Sequence, residues 1–290
     1  MMLTIFTPTY NRANLLERLY CSLLTQTNHN FEWIIIDDGS TDNTQDTVNK
    51  WIGDNAININ YIQKPNGGKH TAYNVGVQNA KGDLCVCVDS DDYLSDDAVD
   101  SILSSWKNTT YSTSCAGIIG QKKDIHNTRF ISQLPDGVEL TLYQLDYEYK
   151  CIGDKCFIFR TDVAKEYTFP VVKNEKFFPE SYLYDMIGKN HTFITLGKDV
   201  NICEYQQDGY SSGFINLMIN NPTGFKAYYS QRIDLACTLY ERMGYLVRYS
   251  AFDVLSRRNE YSYYGKYKFW VTAVRPLGWL LTKYYKHKNK

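Results

Sequence analysis

The sequence lacks an excess of charge of either sign. Its 31 lysines and arginines nearly balance 32 aspartates and glutamates, which leaves a formal net charge of −1 at pH 7. Proteins that bind nucleic acid through bulk electrostatics carry a marked positive charge. The charge balance therefore gives no support for nucleic-acid binding, and we expect no nucleic-acid partner.

Zinc-type spacings of cysteine and histidine are also missing. The eight cysteines form no CxxC pair and no Cys/His arrangement with the spacing of a zinc site. Cys85 and Cys87 lie inside an apolar stretch that we predict to be a strand. Buried, reduced thiols explain this usage better than a secreted disulfide framework does.

A leader-like start and a membrane-spanning run are absent as well. Met1 and Met2 lead directly into a predicted strand, without a basic segment and an apolar run of its own, so we expect a cytoplasmic protein. Near the C-terminus, Arg275 and Pro276 interrupt an apolar stretch already shorter than the ~20 residues that a spanning helix needs.

Strand and helix patterns alternate in the first part of the chain. With 290 residues and 43% hydrophobic content, the chain can bury one large core. Period-2 and period-3.6 patterns predict strands near 2–7, 32–37, 58–63, 84–89 and 115–120, and helices near 14–26, 43–51, 69–80 and 96–106. This alternation predicts an α/β fold, a mostly parallel sheet with helices on both faces.

The run VCVDSDD at residues 86–92 is the most informative motif. An apolar strand leads directly into Asp89, Asp91 and Asp92, with no basic residue beside them in the sequence. Carboxylates at this spacing can hold a hard divalent cation and leave coordination positions for the phosphates of a nucleotide. The alternative is a solvated acidic turn before a helix, because Ser95 and Asp96 also suit a helix start.

Two earlier strands also end in polar loops. Residues 31–42, FEWIIIDDGSTD, contain an apolar strand that ends at Asp37, Asp38 and Gly39. Residues 3–12, LTIFTPTYNR, contain Pro8 where we expect the strand to stop. Ligands of parallel sheets bind at the carboxyl ends of the strands, so the three loops are expected to meet at one crevice. Each loop alone has the residues of an ordinary turn between a strand and a helix. Only the occurrence of all three loops at the ends of predicted strands indicates a site.

The motifs TPTYNR, DDGSTD, NGGKHTAYNVGV (66–77) and VDSDD, in this order, resemble those of the inverting family 2 glycosyltransferases with a GT-A fold. The resemblance covers roughly residues 1–210. It implies a Rossmann-like catalytic domain over 1–213, with a nucleotide- and metal-binding half at 1–121 and an acceptor-side half at 122–213. Aromatic-rich helical segments would form a separate region at 214–290.

The resemblance also implies roles for individual residues. Asp38 would accept a hydrogen bond from the base, Asp89 would lie near ribose and metal, and Asp91 would be the main metal ligand. Lys69 would face the diphosphate or the donor sugar, although a solvated lysine at a helix start is the alternative. The nucleotide pocket as a whole would comprise Pro8, Thr9, Tyr10, Arg12, Asp38, Lys69, Asp89 and Ser90.

The family's base is a carboxylate at a helix start, and the position falls on Glu180, with Leu183 in step. Here Pro179-Glu180-Ser181 replaces the acidic pair that the family often has. The alternative is that Glu180 only complements the helix dipole.

Asp154 and Lys155 are interpreted as a structural ion pair, with acceptor-side groups as the alternative. Asp208 is interpreted as either a site residue or part of a plain loop.

The implied activity is metal-dependent inverting transfer, with Mn²⁺ or Mg²⁺, of a hexosyl or N-acetylhexosaminyl group from a nucleotide sugar. The expected donor is a UDP-sugar, and the acceptor a saccharide or lipid-linked molecule in surface-polysaccharide biosynthesis. The base removes the acceptor proton, and the metal absorbs the charge of the leaving group. A catalytically idle nucleotide-binding or scaffolding module of the same fold is the alternative.

The C-terminal tail is basic and aromatic. No acidic residue follows Glu260, whereas seven lysines and arginines occur among tyrosines and tryptophans. Such a segment suits the anionic surface of a membrane, which would make the protein peripheral on the inner face of the cell membrane. The alternative is a helix that packs on the catalytic domain with a solvated basic face.

Overall fold

The computed structural model describes residues 1–126, 128, 132–204, 213–257 and 259–288. Its strands are β1 Leu3–Thr9, β2 Phe31–Asp37, β3 Ile59–Gln63, β4 Leu84–Cys87, β5 Tyr93–Leu94, β6 Cys115–Asp124, β7 Glu139–Leu140, β8 Lys155–Arg160 and β9 Thr192–Cys203. Its α-helices are α1 Ala13–Leu24, α2 Thr44–Asp54, α3 Lys69–Asn79, α4 Ala98–Asn108, α5 Thr161–Glu166, α6 Glu180–Gly188, α7 Phe214–Asn220, α8 Pro222–Leu235, α9 Leu239–Ser256, α10 Lys268–Ala273 and α11 Arg275–Lys288, and a short π-helix spans Gln144–Glu148.

The nine strands form one mixed sheet in the order β3-β2-β1-β4-β8-β6-β9-β5, with β7 paired to β9. Strands β3, β2, β1 and β4 are parallel to one another, and β6 is parallel to β9. The predicted α/β fold, its first strands and its helices are confirmed. Antiparallel pairing enters through the later strands β5, β7 and β8.

β1 runs one residue beyond Pro8, where the strand was expected to stop. Pro8 pairs with Ile36 of β2, whereas the pairing of β1 with β4 ends at Phe6. The carbonyl of Phe6 faces β4, and alternate residues of a strand direct their backbone groups to the same side. The missing N–H of Pro8 therefore falls beyond the end of β4, where it breaks no ladder hydrogen bond.

The chain divides into two compact units. The first comprises Met1–Phe169 and Asp185–Gln206, and the second comprises Pro170–Tyr184 and Gln207–Lys290. The first unit contains the whole sheet. Its core combines fully buried β1 and β2 with a stack in which the Tyr20 and Trp51 rings lie 4.4 Å apart. The predicted catalytic-domain boundary at residue 213 stays a prediction.

The second unit is helical. Thr238 and Glu241 form a capping box at the start of α9, the longest helix in the described part of the unit. Phe225, Phe252 and Tyr285 pack together from α8, α9 and α11. Among the described residues, no helix combines the length and the apolar character needed to cross a bilayer.

All eight cysteines are free thiols. The expectation of buried, reduced cysteines is confirmed for five of them, whereas Cys87 is partly buried and Cys21 and Cys237 are exposed. Burial raises the pKa values of Cys85 and Cys156 to about 12. These two thiols therefore stay protonated and behave as small apolar side chains.

Candidate active site

The loops after β1, β2 and β4 leave the same edge of the sheet. Thr9 pairs with Asp37 at the end of β1 and β2, and Phe6 pairs with Cys87 at the end of β4. The N–H of Asp38 donates to the Thr9 carbonyl at 2.8 Å, which extends the contact past the strand end. The crevice expected from the sequence therefore has its three loops side by side.

Asn11 joins the first two loops. Its side-chain oxygen accepts hydrogen bonds from the N–H groups of Thr41 at 2.7 Å and Asp42 at 3.3 Å, and its own N–H donates to Ser40 Oγ at 2.8 Å. Asn11 has a φ of +51°, a left-handed conformation that asparagine tolerates better than most residues. The residue was missed by the sequence reasoning, although its type in TPTYNR is the signal for such a turn.

Asp38 organises the loop that precedes α3. Its Oδ1 accepts from Lys64 Nζ and from the Gly67 N–H at 2.9 Å, and its Oδ2 accepts from the Gly68 N–H at 2.7 Å. Gly68 has a φ of +93°, which only glycine adopts without strain. Asp38 therefore holds the NGGKH segment, and the base contact implied by the resemblance stays a prediction.

The acidic run after β4 has basic partners in space, although it has none beside it in the sequence. Arg12 approaches from the start of α1, Lys69 from the start of α3 and Lys122 from β6. The pairs and their N···O distances are Lys69 to Asp89 at 2.5 Å, Arg12 to Asp91 at 2.8 Å and Lys122 to Asp92 at 3.5 Å. Each of the three carboxylates therefore has a cation beside it in the folded protein, which the sequence alone does not reveal.

The basic partners control the charge state of Asp89. Burial raises the pKa of this carboxyl, but the ammonium of Lys69 and then Lys122 and Arg12 outweigh burial, so its pKa lies below its ordinary value. Asp89 is therefore ionised at neutral pH. An ionised carboxylate is the form that accepts hydrogen bonds from ribose or binds a cation.

Asp92 lies deeper than its neighbours. It accepts a hydrogen bond from Cys203 Sγ at 3.2 Å, and its side chain is 8% exposed. Burial raises its pKa to about 6, against the opposing charge of Lys122 and with support from the charge of Asp89. The contacts with Cys203 and Lys122 anchor the acidic loop to β9 and β6.

Whether these residues fit a metal depends on the ligand that accompanies it. No group of three or more aspartate, glutamate, histidine or cysteine side chains with a metal-binding arrangement occurs in the part of the chain that the structure describes. Asp89 and Asp91 supply two carboxylates. Mg²⁺ is commonly held by one or two carboxylates together with substrate phosphates and water, so the pair fits Mg²⁺ or Mn²⁺ only with a bound diphosphate.

The other residues of the implied pocket differ in exposure. Thr9 is 3% exposed and its hydroxyl has no hydrogen-bond partner among the described residues. Ser90, in the loop after β4, is 4% exposed, whereas Tyr10, which directly follows β1, is 46% exposed. Pro8 lies within β1 and is buried. Tyr10 is thus the member of this set whose ring is accessible to a ligand.

Glu180 is the first residue of α6, as the sequence predicts. In the second unit, Glu175 accepts from the N–H groups of Thr223 and Gly224, both at 2.9 Å, and so caps the start of α8. The Lys176 N–H donates to Asn221 Oδ1 at 2.7 Å. These contacts fix the backbone five residues before Glu180, and its proposed role in proton transfer stays a prediction.

Asp154 and Lys155 do not pair with each other. Lys155 binds Asp146 at 2.9 Å, and Asp154 binds Lys122 at 3.4 Å. Neighbouring residues of an extended chain point in opposite directions, which separates these two side chains. The expectation of an ion pair between them is wrong, although both take part in ion pairs. Asp208 lies outside the described residues.

Comparisons with known proteins establish the family of this chain. The family model "Glycosyl transferase family 2" matches residues 4–168, more than half of the chain. A chondroitin synthase of Pasteurella multocida is 43% identical over 105 residues, which are 36% of this chain and 11% of that protein. Glycosyltransferase GlyA of Streptococcus pneumoniae is 35% identical over 100 residues, which are 34% of this chain and 14% of that protein.

Solved structures extend the likeness of fold to nearly the whole chain. Residues 1–349 of Staphylococcus aureus TarS in complex with UDP-GlcNAc match with a TM-score of 0.61 and 18% identity, over 99% of this chain and 92% of that one. The mannosyltransferase PcManGT of Pyrobaculum calidifontis, in complex with GDP-Man and Mn²⁺, matches with a TM-score of 0.55 and 16% identity, over 97% and 86%. The chain has a GT-A fold and belongs to glycosyl transferase family 2.

Proposed function

We propose that this chain is a metal-dependent inverting glycosyltransferase. It moves a hexosyl or N-acetylhexosaminyl group from a nucleotide sugar to a saccharide or lipid-linked acceptor in surface-polysaccharide biosynthesis, in the cytoplasm. The observation that carries the proposal is the loop with Asp89 and Asp91 at the strand ends, faced by Lys69 and Arg12. The cationic side chains can bind the phosphates of a nucleotide diphosphate directly, and the carboxylates can hold a metal ion that binds the same phosphates.

The basic side chains bind the donor and neutralise the diphosphate that leaves. Lys69 supplies a compact positive charge, and the Arg12 guanidinium supplies a planar group that can bind two phosphate oxygens. Their ion pairs with Asp89 and Asp91 hold both cations in place before the donor binds. Such preorganisation lowers the cost of stabilising charge that develops in the transition state.

Asp89 and Asp91 are the residues that would hold Mn²⁺ or Mg²⁺. When bound, the ion acts as a Lewis acid toward the diphosphate leaving group. The ionised state of Asp89 at neutral pH suits this role. The solved structure of PcManGT, which shares the fold, is in complex with GDP-Man and Mn²⁺, and this supports the choice of cation.

Glu180 is the proposed general base. It removes the proton from the acceptor hydroxyl as that oxygen attacks the anomeric carbon, and the bond to the diphosphate breaks on the opposite side. One displacement inverts the anomeric configuration. No second carboxylate nucleophile takes part, unlike in retaining glycoside hydrolysis.

UDP is the proposed nucleotide. TarS was crystallised with UDP and with UDP-GlcNAc, and the relatives include a chondroitin synthase and a hyaluronan synthase of Pasteurella multocida. This chain matches only about a tenth of the length of those two synthases. Their names therefore support a class of donor for this chain and not a particular product.

A donor panel tests the proposal. The full chain is incubated with UDP-, GDP- and dTDP-sugars in the presence of Mn²⁺ or of a chelator, and the nucleotide diphosphate released as the sugar is transferred to an added saccharide or to water is measured. We expect turnover of one or more UDP-sugars that depends on the cation. Turnover that the chelator leaves unchanged would contradict the metal role, and turnover confined to GDP- or dTDP-sugars would contradict the choice of UDP.

The second candidate is a catalytically idle nucleotide-binding or scaffolding module. It is favoured by one observation, that the carboxylates of Asp38, Asp89 and Asp91 already have basic partners inside the protein. The donor panel separates the two functions, because an idle module binds UDP without releasing diphosphate from any sugar nucleotide.

A further inference from the structure

Helices α10 and α11 carry an apolar stripe on their exposed side. Trp270, Ala273, Leu277, Leu280 and Tyr284 follow one another at intervals of three and four residues, and all five are exposed. Trp270, Leu277, Leu280 and Tyr284 are each 50–56% exposed. This spacing places them along one side of the helices. We call these five residues the outer stripe.

The outer stripe is not the packing face of the helices. Val274, Gly278, Thr282 and Tyr285 form the buried side of this segment. The Thr282 hydroxyl donates to the Ala251 carbonyl of α9 at 3.1 Å, and a Cβ atom on Gly278 would lie 2.6 Å from Ser250. Because α11 already packs closely on α9 through its buried side, the outer stripe is not needed for that packing. Exposed apolar patches of this kind mark surfaces that bind another partner.

Basic side chains accompany the outer stripe. Seven lysines and arginines and no acidic residue occur in residues 261–290. Lys283 lies 3.7 Å from the centroid of the Trp279 ring, which is itself 49% exposed, and Lys268 lies 5.5 Å from the Tyr264 ring. An aromatic ring with a cation beside it combines an apolar part with a charged part. Side chains at the interface between a membrane and water have the same combination.

We propose that the outer stripe and its lysines dock the protein on an anionic lipid surface. The leucine and aromatic side chains enter the boundary between headgroups and acyl chains, and the lysines contact lipid phosphates. The 14 residues of α11 extend about 21 Å, less than the ~30 Å hydrocarbon core, so the helix lies in the plane of the interface.

Charge decides between lipid and a second copy of this chain. The intervals of three and four residues would also suit a helix pair between two copies. That arrangement would bring together two segments with seven positive charges each and no negative charge to compensate them. An anionic bilayer instead complements these charges, and the attraction weakens as salt shortens the screening length.

The test measures binding of the full chain to phosphatidylcholine vesicles with and without phosphatidylglycerol. We expect binding only with the anionic lipid, and weaker binding as salt is added. The double variant Leu277→Ser, Leu280→Ser should lose about tenfold or more in vesicle affinity, because it removes two exposed apolar side chains. The control is Leu239→Ser in α9, a leucine that is 72% exposed outside the stripe.

The charge variant Lys268→Gln, Lys283→Gln, Lys286→Gln should lose about tenfold or more as well, since each cation near an anionic surface contributes to attraction. Its control replaces three exposed lysines of the first unit, Lys50, Lys107 and Lys189, by glutamine. Equal binding to both kinds of vesicle, or equal loss in variant and control, would overturn the proposal.

Sedimentation of the full chain without lipid provides the remaining arm of the test. We expect a monomer whose mass is the same in wild type and in Leu277→Ser, Leu280→Ser. A dimer that the double variant dissociates would overturn the lipid assignment in favour of a second copy. None of these measurements uses a sugar nucleotide, so the docking proposal stands or fails independently of the transferase proposal.

Discussion

At the scale of single residues, ion pairs that link distant parts of the sequence position the charged groups of the candidate site. Arg12 and Asp91 lie 79 positions apart, and their side chains meet at 2.8 Å. The Arg12 side chain is 25% exposed and the Asp91 side chain is 19% exposed. Partly buried pairs of this kind fix geometry even where they add little net stability. The result is a set of charged groups with defined positions at the strand ends.

Replacing Glu180 tests the base. Glu180→Gln keeps the size and the hydrogen-bonding capacity of the side chain but removes the proton acceptor. Turnover of the donor in the presence of acceptor should fall by about 10²–10⁴-fold, the usual contribution of a positioned acid or base. Donor affinity should change little, because the proposed nucleotide contacts are other residues.

The control for this variant is Glu166→Gln, which removes an exposed carboxylate at the end of α5. It should leave turnover unchanged. Near-normal turnover in Glu180→Gln would contradict the assignment of the base and would move attention to Asp185 and Asp208. The anomeric configuration of the product, read by NMR, should be opposite to that of the donor.

The carboxylates of the site could be predicted from the sequence, and their partners could not. Asp37, Asp38 and the run from Asp89 to Asp92 directly follow apolar strands, and strand ends are legible from period and composition. Lys64, Lys122 and Asn11 are ordinary residues of loops and strands in the sequence. Their contacts form only when the sheet brings together residues that lie 26 to 30 positions apart in the sequence, which no local pattern encodes.

At the scale of elements, α3 carries a buried histidine. His70 is 3% exposed, and its ring lies 6.4 Å from the Phe169 ring in an edge-to-face arrangement. Burial lowers its pKa from 6.5 to about 4, which the charge of Asp38 opposes. His70 is therefore neutral in the folded protein at neutral pH.

The lowered pKa of His70 predicts a pH-dependent stability. Above pH 6.5 the folded and unfolded states both hold the neutral ring, and as pH falls toward 4 only the unfolded state gains the proton. The free energy of unfolding should therefore decrease by about 2 kcal/mol between pH 7 and pH 5 because of this residue. Denaturant unfolding of wild type and His70→Phe at both pH values measures the difference.

His70→Phe should lack this part of the decrease, since phenylalanine does not titrate and keeps an aromatic ring next to Phe169. The matched control is His29→Phe, which replaces an exposed histidine. Equal pH dependence in wild type and His70→Phe would contradict a buried, neutral His70.

The contact between α9 and α11 makes a second prediction at this scale. Gly278→Ala places a Cβ atom 2.6 Å from Ser250, where both helices must shift, so the free energy of unfolding should decrease by about 1–3 kcal/mol. Gly244→Ala in α9 is the control, because its Cβ would meet only the movable end of Arg248.

Thermal unfolding measures both glycine variants. Gly244→Ala should stabilise by about 0.5–1 kcal/mol, the usual gain when alanine replaces glycine within a helix. If Gly278→Ala were as stable as Gly244→Ala, the close approach of the two helices would be contradicted.

The sequence predicts helices and strands correctly where they are long enough to show a hydrophobic period. The predicted strands 32–37 and 58–63 correspond to β2 and β3, and the predicted helix 69–80 corresponds to α3. The two-residue strands β5 and β7 are too short to show a period, and β8 was not predicted as an antiparallel neighbour of β4. Strand order and direction depend on tertiary packing, which hydrophobic period does not specify.

At the scale of the whole molecule, a net charge of −1 conceals an uneven distribution. The acidic run after β4 lies in the first unit, and the acid-free stretch after Glu260 lies in the second. Each has its own proposed ligand, a nucleotide diphosphate with its cation for the first and an anionic lipid surface for the second. Net charge alone predicts neither ligand, because local charge decides binding within a Debye length of about 8 Å.

Binding of UDP with and without Mn²⁺ shows whether the acidic run is a metal and nucleotide site. Calorimetric titration of the full chain compares wild type, Asp91→Asn and the control Asp46→Asn, which changes an exposed carboxylate in the first turn of α2. Asp91→Asn removes a negative charge and leaves Arg12 in place, so electrostatics alone would strengthen UDP binding in the absence of metal.

We expect Mn²⁺ to increase the affinity of wild type and of Asp46→Asn for UDP. Asp91→Asn should lose most of this metal-dependent increase, about tenfold or more, while its circular dichroism spectrum stays that of the wild type. A metal-dependent increase in Asp91→Asn as large as that of the wild type would contradict the assignment of the acidic run as the metal and nucleotide site.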